Sequence, residues 1–144
     1  MIETIAHGEE IVALIISHRF SAPGVHFVTP DDFSQQLAFM CHPAGKVIVP
    51  HTHNVVQRSV TQTQEALFVR RGKIRVDFYD RSQNYLDSRI LDAGDVILLA
   101  SGGHGFEFLE ESEVIEVKQG PYLGEMDKTR FDGVSNAQIN VRVQ

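Results

Sequence analysis

The chain has 144 residues, a single cysteine, and 13 Lys and Arg against 19 Asp and Glu, for a formal net charge of −6. With no stripe of Lys and Arg to follow a phosphate backbone, this balance argues against a nucleic-acid partner. A lone Cys41 rules out an intrachain disulfide and suits a reducing, cytoplasmic home; the longest apolar run, residues 11–16, is too short for a bilayer span, so no membrane partner is expected. The length predicts one domain, 1–144, able to bury most of its apolar surface without staples.

Residues 11–16 (IVALII) are β-branched and apolar on both faces, which predicts a strand covered on both sides, one of them by a second subunit. A turn at 21–24 and a short strand at 25–28 follow. Thr29, Pro30, Asp31 and Asp32 then read as one helical turn, with Thr29 as N-cap, Pro30 at the first helical position and two acids at the positive end. Strand character returns at 37–41, turns at Pro43, Ala44 and Gly45, and runs back over 46–53, where Val47, Val49, His51 and His53 share one face. Residues 54–64 are polar but rich in Val and Thr and read as an extended excursion.

Glu65, Leu67 and Val69 form a second inward face, and Arg70, Arg71 and Gly72 end that strand. Ile74, Val76 and Phe78 alternate with Arg75, Asp77 and Tyr79 up to a hairpin tip at 80–84. Strands are predicted over 85–91 and 96–99, then one in which His104, Phe106 and Phe108 share a face, then one over 114–118. The alternating stretch 138–143 suggests an added edge strand. About nine or ten short strands at roughly 8–12-residue spacing, with almost no helical period, indicate an all-β sandwich or barrel.

His51, His53, Glu65 and His104 are the candidate metal ligands. Three neutral imidazoles and one carboxylate can hold a divalent first-row ion while leaving a position for water or substrate. Zn, Fe, Mn and Ni all remain open, as does a metal-free barrel whose inward histidines are satisfied core groups. His7, His18, His26 and His42 fall in turn-like or edge settings and read as surface residues. Arg58, Gln62, Tyr79 and Lys118 are candidates for substrate contact, because a polar ligand in an apolar cup requires a few placed donors.

Gly45, His51, His53, Glu65 and Gly72 resemble the first signature of the cupin superfamily, and Gly94 with the run 100–104 resembles the second. Eleven residues, 54–64, separate His53 from Glu65, and Phe108 stands where the second signature commonly ends in Asn, making the inner cup more apolar. The runs 63–80, 94–99, 103–107 and 118–122 are similar to small single-domain cupins associated with bacterial surface-sugar gene clusters. The resemblance implies a single-domain cupin-type jelly-roll barrel with its core at about 36–120 and a ligand set of His51, His53, Glu65 and His104; the apolar surface of 11–16 separately predicts a homodimer, with the N-terminal strand and C-terminal tail in its contacts. Two functions stay open: a metal-dependent enzyme on a small polar substrate such as a sugar derivative, isomerase/epimerase-like or dioxygenase-like, with Arg58 or Lys118 binding an anionic group, and a non-catalytic metallo-cupin that binds a sugar or small anion.

Overall fold

Alternation in the sequence becomes ten strands in the computed structural model, which describes residues 1–142. They are β1 (Ile2–His7), β2 (Glu10–Ile16), β3 (Gly24–Phe27), β4 (Ala38–Cys41), β5 (Glu65–Arg71), β6 (Lys73–Tyr79), β7 (Tyr85–Asp92), β8 (Val96–Leu99), β9 (Gly103–Phe108) and β10 (Glu113–Lys118). The chain is all-β: the only helical pieces among the described residues are 3-10 turns at Gly124–Asp127 and Asn136–Gln138. Among the described residues no helix is long and apolar enough to cross a membrane.

The strands make a five-stranded sheet in the order β1-β2-β8-β5-β10, a three-stranded sheet in the order β7-β6-β9, and a separate β3-β4 hairpin. Every pairing between strands is antiparallel, and no sheet closes into a barrel. The two larger sheets pack face to face, because the inward residues of both form one cluster: Val12, Ile15, Leu67, Val69, Ile97 and Leu99 from the first and Ile74, Val76, Phe78 and Leu91 from the second. Burying an aliphatic or aromatic side chain of this size is worth about 1.5–3 kcal/mol. Phe78, wholly buried, sits at the centre of the three-stranded sheet.

Several local expectations need correction. The apolar run 11–16 needs no second subunit: β2 lies between β1 and β8, its inward residues join the main core, and Leu14 packs outward with Ala66, Leu98, Ile11, Phe33 and Leu37. β1 was not legible as a strand, and the core extends to Ile5 on it. The predicted helical turn after Thr29 is a reverse turn closed by Phe33 N–H donating to Pro30 O, and the Thr29 hydroxyl accepts from Leu37 N and donates to Gln36 instead of capping a helix. The tail contributes a single bridge, Ser88 to Val141, within the predicted stretch 138–143, whose last residue lies outside the described ones.

The two long edges of the sandwich differ. Where β1 faces β7, Arg89 projects inward opposite Val76 and pairs with Glu3 Oε1 (2.7 Å) and Asp87 Oδ2 (2.9 Å), bridging the sheets with a buried ion network. Where β9 faces β10, no strand among the described residues continues either sheet. The predicted strand over 46–53, which would be expected to help close the cup, is absent: residues 40–63 are exposed throughout, and within them the one backbone–backbone hydrogen bond recorded outside the strands is Lys46 N to Pro43 O.

Candidate functional site

The open edge carries the chemistry. Glu65 starts β5 on the same face as Leu67 and Val69, as the alternation predicts, and pairs in register with Leu99 and Lys118. His104 lies on β9 opposite Phe78, so it too points between the sheets. Their side chains meet across the gap, His104 Nε2 standing 3.5 Å from Glu65 Oε2, at the long limit for a hydrogen bond. The His104 imidazole holds the Glu65 carboxyl below its ordinary value of 4.5, with help from the charges of Lys118 and Lys128 and against the opposing effect of burial.

Beside this pair is an open cleft of about 960 Å³, lined by Gln62, Glu65, Tyr79, Arg81, the 100–106 segment and residues of the tail from Leu123 to Gly133. Gln62 reaches it with an amide oriented to donate to Ala100 O (3.3 Å) and accept from Arg81 Nη2 (2.8 Å). Tyr79 borders it, but its hydroxyl accepts from Val134 N (3.2 Å) and its ring packs edge-on against Phe131, so the residue straps the tail to the sheet. Lys118 stays outside the lining, 3.8 Å from Glu116, and acts on the site through its charge on Glu65. Arg58 is exposed in the segment 40–63 and does not line the cleft.

His51 and His53 stand apart from Glu65 and His104. Both are exposed, their rings edge-on at 5.2 Å, with His51 Nδ1 3.0 Å from Val49 O. Among the described residues no three His, Cys, Asp or Glu side chains are grouped closely enough to hold a metal ion. One chain therefore brings together two of the four expected ligands, Glu65 and His104, and leaves His51 and His53 exposed.

The tail residues that wall the cleft were not singled out in the sequence. Asp127 accepts from Thr63 Oγ1 (2.9 Å), Arg130 pairs with Glu125, and Lys128 makes no ion pair among the described residues. Residues 122–135 carry no alternation that could have placed them there. Gln64 was likewise unmarked, yet it is buried: its side-chain oxygen accepts from Ser34 Oγ and Gln35 N, both at 3.1 Å, and its carbonyl accepts from Gln119 N and Gln35 Nε2, fixing the root of the excursion. No family model, curated protein or solved structure matches this chain.

Proposed function

We propose that the chain is a cupin-type jelly-roll protein that binds a divalent metal through His51, His53, Glu65 and His104 and acts on a small polar substrate such as a sugar derivative. The observation that carries this reading is the meeting of Glu65 and His104 from opposite sheets beside an open cleft. A carboxylate and an imidazole on rigid facing strands are half of a site for Zn, Fe, Mn or Ni. Lys128 on the cleft wall adds a cation suited to an anionic substituent.

A second reading, a non-catalytic module that binds a sugar or small anion, is favoured by a specific observation. The other acidic and phenolic groups around the cleft are engaged: Asp80 caps its turn through Ser82 N and Asn84, Asp127 accepts from Thr63, and Tyr79 holds Val134. Proton transfer would fall to the Glu65–His104 pair itself. Turnover of sugar phosphates or nucleotide sugars separates the readings, since saturable binding without turnover across a broad panel supports the second.

Metal binding is tested by titrating chelator-stripped protein with Zn²⁺. The expected result is that Glu65→Gln weakens binding about 10-fold or more, that His51→Ala, His53→Ala and His104→Ala do at least as much, and that His26→Ala does little. Failure of the unaltered protein to take up metal overturns the reading. Full occupancy in Glu65→Gln with loss in the three His variants reduces the site to three histidines.

A further inference from the structure

We propose that residues 42–58 are an exchanged arm, which leaves its own body and completes the open edge of a second copy, so that each site takes His51 and His53 from one chain and Glu65 and His104 from the other. The observations are a displaced strand and a vacant edge of matching pattern. On the arm, Val47 is 73% and Val49 76% exposed, and Ile48, Val55 and Val56 are exposed with them. Such a run of apolar residues on a backbone without partners is costly in water and is the pattern of a strand awaiting a sheet.

The receptor is the β9 edge. Phe106 and Phe108 point to the inward face, opposite Val76 and Ile74, yet remain 39% and 59% exposed because nothing lies beyond β9 to cover them. An arm strand laid antiparallel on β9 sets Val47 against Phe108, Val49 against Phe106 and His51 against His104. Apolar residues then meet apolar ones and imidazole meets imidazole, with His53 one step further toward the cleft. A shift by one residue would turn every arm side chain to the wrong face, so the register is specified by the sequence itself.

A second copy is the occupant because in its own chain the arm lies exposed and off the β9 edge, while the residues that follow it are fixed to the body, Gln62 at Ala100 and Arg81 and Thr63 at Asp127. Gln64 is locked at its root by Ser34, Gln35 and Gln119, and the β3-β4 hairpin from which it departs is braced by Phe20 packed edge-on against Phe39 (5.0 Å). β4 pairs with β3 alone, and the β10 edge is as vacant as that of β9. Each copy thus carries one displaced arm and one vacant edge, and reciprocal exchange closes as a two-fold dimer. The metal chemistry of the completed site rests on the function proposed above; the exchange of strands does not.

The test uses the full chain with Cys41→Ser, so that two new cysteines are the only thiols. With Val49→Cys and Phe106→Cys, a short bis-maleimide is expected to give a covalent dimer under denaturing conditions. An internally linked monomer, or no link, overturns the exchange. Sedimentation of the unaltered protein at micromolar concentration is expected to give a dimer, and a monomer overturns the proposal even if the cysteine variants misfold. Zn²⁺ uptake adds a second arm: a His51→Ala/His53→Ala chain and a Glu65→Gln/His104→Ala chain are each expected to bind none, whereas their co-expressed heterodimer regains one intact site, about half an equivalent per chain. No recovery in that heterodimer, when the unaltered protein binds Zn²⁺, overturns the shared site. Covalent dimers with no Zn²⁺ uptake by the unaltered protein overturn the metal reading and leave the exchange standing.

Discussion

Asp95, 2% exposed, holds the turn between β7 and β8 to the end of β2: its carboxylate accepts from His18 N (2.7 Å) and Asp92 N (2.9 Å) and meets His18 Nδ1 at 2.7 Å. Asp95→Ala strands two backbone donors, each costing about 1–3 kcal/mol, so a loss of about 2–4 kcal/mol is expected, read as a lower urea midpoint with an unchanged slope. Asp95→Asn, which keeps one acceptor oxygen, loses less. At Glu65 the expected effect depends on pH. The His104 imidazole depresses the carboxyl in the folded state, so the stabilisation is full above the unfolded value and is lost as pH falls through the lower folded one. Metal-free protein should therefore lose more stability between about pH 5 and pH 3 than Glu65→Gln does, in urea titrations at the two pH values.

At the scale of elements, the corner where β5 leaves the five-stranded sheet and β6 enters the three-stranded one turns on Gly72, with φ +84°. A Cβ there would lie 2.5 Å from Glu111 O and 2.7 Å from Ser112 Cα, both backbone atoms. Ser112 is held in turn, its hydroxyl accepting from Lys73 N and donating to a nearby carbonyl, so the contact cannot relax by rotating one side chain. Gly72→Ala should cost about 2 kcal/mol or more and lower the melting temperature by about 6 °C or more. Gly105→Ala, where a Cβ meets nothing within 4 Å, should shift it little. The same corner explains why Glu65, Leu67 and Val69 face the core: they precede a hinge that folds one sheet over the other.

For the whole molecule, the contrast between a core of paired strands and an arm without partners makes a prediction for amide hydrogen exchange. Amides of β2, β8, β5 and β6 should exchange slowest, being central in their sheets, and those of 46–53 should be protected only as far as the arm is docked. Their protection is expected to fall on dilution while that of β6 persists; equal protection at all concentrations would mean that the arm docks on its own chain.

Alternation and turn residues by themselves determined the all-β class, nearly every strand, and the inward direction of Glu65, His104, Phe106 and Phe108, because a side chain's face is a local property of an extended backbone. Only the tertiary structure decided which segments lie together. The strand pattern of 46–53 is plain in Val47, Val49, His51 and His53, but a strand exists only where an edge receives it, and in one chain the β9 edge does not. The apolar run of β2 misled in the opposite direction, since periodicity reports that two faces are buried without saying whether the cover comes from the same chain or another. The tail was illegible because Tyr79, Phe131 and Lys128 come together through contacts between segments, to which no local period corresponds.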